Sequence, residues 1–118
     1  MRKIGAVRVS RLSAAPACGY GGAVIRHILL IKLKPEATSA QVEAFMREIA
    51  AVPFPDRTNI VVGRDLGIRP GNFDLAVSND FPDEAAYRAW GEHPAHNTVR
   101  TDYLQPIAAD FARCLLEV

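Results

Sequence analysis

The three histidines of this 118-residue chain are the side chains best suited to chemistry near neutral pH. His93 and His96 belong to one short His-Pro-Ala-His motif, and His27 lies far upstream in an apolar segment. An imidazole has an ordinary pKa of about 6.5, so it exchanges a proton readily near neutral pH, as enolisation beside a carbonyl group requires. The sequence therefore contains groups for general acid–base catalysis, with His96 and His27 as the candidate catalytic residues.

Each histidine also has an ordinary structural explanation. A core position with a hydrogen bond to a backbone carbonyl would explain His27, and capping of the helix that Pro94 begins would explain His93. For His93 the structural explanation is favoured, whereas for His96 a structural role and a functional role are equally supported. If the helix containing His96 faces a sheet, its ring points toward His27 across an internal cleft, so His96 is the preferred site residue.

Other kinds of site have less support in the residues. The histidines supply three metal ligands at best and no carboxylate completes their motif, so we predict no metal site. Gly63 and Gly71 are typical of turns and not of a phosphate loop, and no cofactor is expected. Tyr87 and Trp90 join the three histidines as candidate binding residues, although aromatic side chains are equally expected in any core.

The charge distribution argues against a nucleic-acid partner. The chain has a formal net charge of +1, but residues 1–11 carry four positive charges and the first acidic residue is Glu36. Residues 25–118 contain 10 basic and 13 acidic residues, which sum to −3. An acidic body without a basic stripe lacks the electrostatic footprint of a protein that binds DNA or RNA.

Cysteine content and hydropathy indicate a cytoplasmic protein without a membrane partner. Cys18 and Cys114 are far apart and have neither disulfide-framework nor zinc-ligand spacing, which favours a reducing compartment. The longest apolar stretch, residues 28–31, is far shorter than the about 20 residues that a membrane helix needs. We therefore expect a single globular domain in the cytoplasm.

Residues 1–24 differ in composition from the remainder of the chain. They are rich in Ala, Gly and Arg and show no helical or alternating period, which predicts a flexible N-terminal extension before a domain at residues 25–118. A signal peptide or transit peptide is a weak alternative. Another alternative is that translation begins at Val24.

Periodicity after residue 24 predicts alternating strands and helices. The apolar stretch Ile25–Leu33 indicates a strand, and the capping-box pattern from Thr38 to Gln41 begins an amphipathic helix that ends near Val52. The remaining predicted elements are strands at 60–62 and 73–79, a helix from Pro82–Glu84 to a C-cap at Gly91, a helix from Pro94 to Pro106, and a strand at 111–118.

The resulting order, β-α-β-β-α-α-β, predicts an α+β protein. Its simplest compact form is the ferredoxin-like fold, a four-stranded antiparallel sheet with all helices on one face. Ile28 and Leu30 of the first strand would lie on the uncovered face. Burying them against the sheet of a second copy would remove a large exposed apolar patch, so we predict a homodimer.

From Ile25 onward the chain also contains a series of short motifs in a fixed order. They are Ile25-Arg26-His27 before an apolar strand, Gly63-Arg64-Asp65, Phe73-Asp74-Leu75-Ala76, Phe81 with Asp83-Glu84-Ala85, and His93-Pro94-Ala95-His96. In this order and spacing, residues 25–118 resemble the stress-responsive dimeric α/β-barrel (Dabb) family. The resemblance implies a homodimer in which two sheets close into a barrel, with an internal cleft for a small organic ligand.

The family resemblance leaves three functions open. Family members that form olivetolic acid are cofactor-free polyketide cyclases with a histidine base and a tyrosine, and all three histidines here match family positions. Trp90, however, occupies the position of that tyrosine, and Leu75 occupies the position of a further pocket histidine. Tyr87, one helical turn before Trp90, is a phenol close to the missing tyrosine. The alternatives are a ligand-binding dimer, a cofactor-free cyclase, lyase or monooxygenase acting on a polyketide-like carbonyl compound, and a purely structural or protective dimer.

Overall fold

The computed structural model describes residues 24–118, so the predicted extension at residues 1–24 lies outside the described residues except for Val24. The element order confirms the predicted β-α-β-β-α-α-β arrangement, and a π-helical segment follows the third helix. The elements are β1 (Ile25–Leu33), α1 (Ser39–Ala51), β2 (Thr58–Arg64), β3 (Leu75–Phe81), α2 (Glu84–Glu92), α3 (Pro94–Val99), the π-helical segment (Arg100–Leu104) and β4 (Ala108–Glu117).

The four strands form one antiparallel sheet in the order β2-β3-β1-β4. This order confirms the predicted ferredoxin-like fold. β1 lies at the centre of the sheet, where His27 is opposite Asn79 of β3 and Leu115 of β4. The central strand therefore places His27 where two neighbouring strands and the helices above them meet.

Helix α1 begins and ends where the sequence predicts. The Thr38 hydroxyl accepts a hydrogen bond from the Gln41 backbone N–H at 3.1 Å, and the Gln41 side-chain oxygen accepts one from the Thr38 N–H at 2.9 Å. This capping box satisfies two of the free N–H groups at the helix start. The helix packs on the sheet through Val42, Phe45 and Ile49, which are buried.

The end of α2 differs from the prediction. The sequence predicts Gly91 as the C-cap, but it lies inside the helix, and His93 is the C-cap with its backbone N–H bonded to the Trp90 carbonyl. Pro94 follows directly, and a proline restricts the residue before it and cannot donate a backbone hydrogen bond. The proline, and not the glycine, therefore ends α2, while the Asp83 side chain caps its start by accepting from the Ala86 N–H.

Strand β3 begins two residues later than predicted, at Leu75. The reason is Asp74, whose carboxylate accepts a hydrogen bond from the Leu33 N–H at 2.8 Å. A side chain therefore takes the place that a strand carbonyl would occupy, and the regular pairing with β1 starts at Leu75 opposite Ile31.

The hydrophobic core lies between the inner face of the sheet and the helices. Its largest buried members are Ile31, Phe45, Leu75, Phe81, Trp90 and Ile107. The outer face of the sheet carries Ile28 and Leu30 of β1, both half-buried, and no helix of residues 24–118 covers it. Among these residues no helix is long and apolar enough to cross a membrane.

Candidate functional site

His27 lies on the inner face of β1 and is 7% exposed. Its ring is 5.3 Å from the ring of Tyr87, measured between centroids. Neither ring nitrogen has a hydrogen-bond partner within residues 24–118, so the proposed bond to a backbone carbonyl is not present there. A buried imidazole without a partner is unusual, because buried polar atoms are nearly always hydrogen-bonded.

The surroundings of His27 keep it neutral. Burial lowers the pKa of His27 to about 4, and the positive charge of Arg113, a charge on His96 and that of Arg57 act in the same direction. An imidazole in this position carries no proton on one nitrogen at neutral pH. His27 is therefore able both to donate one hydrogen bond and to accept one.

His96 lies in the first turn of α3, and its ring is fixed by Trp90. The Nδ1 atom is 2.8 Å from the Trp90 carbonyl oxygen, and since a carbonyl only accepts, Nδ1 carries the hydrogen in the neutral ring. The two rings are stacked, with centroids 3.9 Å apart and 16° between their planes. In this tautomer the free lone pair is on Nε2, so Nε2 is the nitrogen that would accept a proton.

The pKa of His96 is lowered to about 4, below the neutral range expected of an unperturbed imidazole. Burial is the main cause, and the bond to the Trp90 carbonyl partly opposes it. The charges of Arg100 and Arg57, and a charge on His93, lower the pKa further. His96 is consequently a neutral base at pH 7, although a weaker one than the sequence alone suggests.

His93 occupies a different environment. Its Nε2 atom is 3.1 Å from the Pro53 carbonyl oxygen, and its ring packs against Phe54 at 5.2 Å between centroids. His93 is the N-cap residue of α3, as predicted, but its side chain makes no capping hydrogen bond to that helix. In the described residues, its identified hydrogen bond ties α2 and α3 to the connection after α1.

The two candidate aromatic residues lie beside different histidines. Tyr87 is half-buried between the rings of His27 and Phe81, whereas Trp90 is 2% exposed and stacks on His96. The structure thus forms two pairs, His27 with Tyr87 and His96 with Trp90. The two histidines are close enough for a charge on His96 to lower the pKa of His27.

Two further polar residues lie beside these pairs, and neither is among the candidates that the sequence indicates. Arg57, just before β2, is 5% exposed, and its Nε donates to the Asn79 side-chain oxygen at 3.0 Å. Its guanidinium carbon lies 4.4 Å from the centroid of the Trp90 ring. Nothing in the sequence around Arg57 indicates burial, but Asn79 is a polar residue on the apolar face of β3, which is a detectable signal.

An open cleft of about 250 Å³ lies between β1, β4 and the π-helical segment, and neither His27 nor His96 is among its lining residues. Leu29, the next residue after His27 on the inner face of β1, forms one wall, and Arg113 lies opposite Leu29 on β4. The other lining residues include Arg100, Leu104, Asp110 and Phe111. Within residues 24–118, no three His, Cys, Asp or Glu side chains are grouped as metal ligands.

Comparison with known proteins gives a family match and several similar folds. Residues 25–113 match the family described as Stress responsive A/B Barrel Domain, Dabb. A dimeric ferredoxin-like protein of unknown function from Thermobifida fusca is 29% identical, with a TM-score of 0.75 over 89% of this chain and all of that chain. No curated protein sequence matches the chain.

Two enzymes share the fold at lower identity. The hydroxynitrile lyase of Passiflora edulis is 16% identical, with a TM-score of 0.73 over 82% of this chain and 94% of the lyase. SnoaB, a cofactor-independent oxygenase of Streptomyces nogalater, solved in a mutant form, is 14% identical, with a TM-score of 0.65 over 81% of this chain and 93% of SnoaB. At this identity the likeness concerns the fold alone.

Proposed function

Because this chain belongs to the stress responsive A/B barrel (Dabb) family, we propose that it forms a homodimer in which each subunit binds a small organic molecule beside His27 and His96. The same proposal places the protein in the cytoplasm, in agreement with its cysteine content. The observation that carries it is the pair of unpartnered ring nitrogens on buried His27. The open cleft reaches the same strand two residues further on, at Leu29.

The outer face of the sheet supports dimerisation. A shallow concave surface of about 610 Å³ lies there, with Leu30, Val61 and Ala76 among its lining residues. On the loop beside it, Leu66 and Ile68 are 84% and 77% exposed, which is costly for apolar side chains in water. The similar protein from Thermobifida fusca is itself dimeric.

The ends of the outer face are polar, as the rim of an interface usually is. At one end Arg26 donates two hydrogen bonds to the Asp80 carboxylate, at 2.8 and 3.0 Å. At the other end Lys32 is 4.0 Å from the Asp74 carboxylate. A face with an apolar centre and charged ends fits a second copy of itself about a two-fold axis.

The inner face supports ligand binding. Leaving a buried polar atom without a partner costs about 1 to 3 kcal/mol, so a ligand that bonds to the His27 ring would recover that loss. The neighbouring cleft offers apolar walls at Leu29, Leu104 and Phe111, as in most small-molecule sites. Catalysis is not needed for this function.

A second candidate function is cofactor-free catalysis on a carbonyl compound, as a cyclase, lyase or monooxygenase. The fixed tautomer of His96 favours it, because Nε2 keeps its lone pair for a substrate proton while Nδ1 is bonded to the Trp90 carbonyl. Two proteins of similar fold are named as a lyase and a cofactor-independent oxygenase. Tyr87, whose ring centroid is 5.3 Å from that of His27, would supply a phenol for a second proton transfer.

A ligand screen by thermal shift tests the proposal. A compound at about 100 times its dissociation constant adds about 2.7 kcal/mol to the free energy of unfolding, which raises the melting temperature measurably. We expect His27→Leu and His96→Leu to abolish the shift, while His93→Gln keeps most of it because His93 is bonded to Pro53. A library of carbonyl compounds and organic acids that produces no shift would favour the structural or protective dimer.

A further inference from the structure

Arg57 is a buried cation without a carboxylate partner among the described residues. It is 5% exposed, and none of the ion pairs formed within residues 24–118 includes it. Burial lowers the pKa of Arg57 to about 10, which still leaves the guanidinium protonated at neutral pH. A full positive charge therefore lies inside the domain, a position that proteins ordinarily balance with an anion.

Three neutral groups hold the guanidinium in place. Its Nη1 donates to the Ile49 carbonyl at 2.7 Å, in the last turn of α1, where the helix dipole favours a cation. Its Nε donates to the Asn79 side-chain oxygen, and its plane lies near the face of the Trp90 ring. These contacts fix the orientation of Arg57, but they do not neutralise its charge.

The remaining polar atoms around Arg57 are unpartnered. Within residues 24–118, the buried side-chain nitrogens and oxygens without a hydrogen bond are Nη2 of Arg57, Nδ2 of Asn79 and both ring nitrogens of His27. Arg57 is bonded to Asn79, and Asn79 is directly opposite His27 in the β1–β3 pairing. All four atoms thus belong to three residues that are neighbours in space. Three unrelated packing defects would not be expected to lie side by side in this way.

The chemistry of these atoms is that of hydrogen-bond donors. Nη2 of a guanidinium and Nδ2 of an amide only donate, and a neutral His27 donates from one of its two nitrogens. Their charge sum is positive, because His27 and Asn79 are neutral and Arg57 is not. Donors with a net positive charge in a desolvated position bind an oxyanion strongly.

We infer that Arg57, Asn79 and His27 form an oxyanion recess that receives the carboxylate of a small organic acid, the substrate class of the proposed site. The inference rests on the proposed ligand-binding function and adds the charge of the ligand to it. The neighbouring cleft carries Arg100 and Arg113 against a single carboxylate, Asp110, so its potential also favours an anion. The apolar part of the acid would extend along Leu29 toward Phe111.

Trp90 provides the measurement, because it is the chain's single tryptophan and has Arg57 against its ring. The probes are the straight-chain acids from acetate to decanoate, each paired with the amide of the same length, at pH 7. We expect a saturable change of Trp90 fluorescence with at least one acid. The matching amide should bind at least about tenfold more weakly, since it lacks the charge that strengthens a hydrogen bond.

Two variants assign the binding to the recess. Arg57→Gln should weaken binding of the acid at least about tenfold, whereas Arg47→Gln, on the exposed face of α1, should leave it unchanged. If Arg57→Gln does not fold because the bond to Ile49 is lost, Asn79→Asp tests whether the acid binds at the recess. That variant places a carboxylate beside Arg57, so it should raise the melting temperature and abolish acid binding.

Three results would overturn the inference. One is equal affinity for an acid and its amide, which would leave a ligand site at the cleft without an oxyanion recess. A second is unchanged acid binding in Asn79→Asp. The third is the absence of a saturable response to every acid, in which case Arg57 serves only to cap α1. The proposed ligand-binding function would then still be tested separately by the thermal-shift screen.

Discussion

His27 and His96 are both neutral at pH 7, so neither ring repels the positive charge of Arg57, and protonation of either ring is opposed by that charge. Both would become charged below about pH 4 in the folded protein, but near pH 6.5 in the unfolded chain. The unfolded chain therefore binds more protons throughout this interval. It follows that the free energy of unfolding decreases as the pH falls from 7 toward 4.

The pH dependence gives the first prediction. Between pH 7 and pH 5 we expect a loss of about 1 to 2 kcal/mol for each of the two histidines. Urea denaturation at both pH values measures it, and His27→Gln should remove about half of the difference. Equal stability at pH 5 and pH 7 would mean that the two rings are more accessible to water than their burial indicates.

The role of His96 gives a second prediction, for a substrate found by screening. If the protein is an enzyme, His96→Ala should reduce kcat by about 10² to 10⁴, the usual contribution of a positioned general base. The wild-type rate should also stay high down to about pH 5, since the pKa of His96 is about 4. Full activity of His96→Ala, with an unchanged dimer and melting temperature, would assign proton transfer to another group.

At the residue scale the sequence predicts which side chains can react, but not their surroundings. His27 and His96 stand out by their type and family position. Arg57 does not, because its burial depends on Ile49, Asn79 and Trp90, which come from three separate elements. Tautomers and pKa values depend on the same long-range contacts, so no local pattern reveals them.

At the scale of the elements, local capping determines where α1 begins, which leads to a third prediction. Thr38→Ala removes the hydroxyl that accepts from the Gln41 N–H and should cost about 1 kcal/mol in the free energy of unfolding. Thr38→Ser keeps the hydroxyl and should cost much less. Urea midpoints of the two variants provide the comparison, and an equal loss in both would point to the methyl group instead.

The elements also show where local prediction ends. The sequence predicts α1 closely because the capping box and apolar period are contained within the helix itself. It misses the start of β3 because that start depends on a hydrogen bond between Asp74 and Leu33, far apart in the chain. It misses the end of α2 because Gly91 and Pro94 are both helix-ending signals, and the proline is the stronger of the two.

At the scale of the whole molecule, the uncovered sheet face gives a fourth prediction. Leu30→Asp would place an unpaired charge in the proposed apolar interface, so light scattering should report a monomer where the wild type has twice the chain mass. Ala40→Asp, on the exposed first turn of α1, is the matched control and should stay dimeric. A wild-type chain that remains monomeric at tens of micromolar would contradict the proposed dimer.

The central position of β1 has a further consequence during synthesis. β1 is the first element of the described chain to be made, but its two neighbours in the sheet, β3 and β4, are made later, and β4 is the last element of all. β3 is available to pair with one edge of β1, but the other edge of this apolar strand stays unpaired until β4 has left the ribosome. During that interval Ile25–Leu33 is the segment that a chaperone would bind, or that would aggregate in its absence.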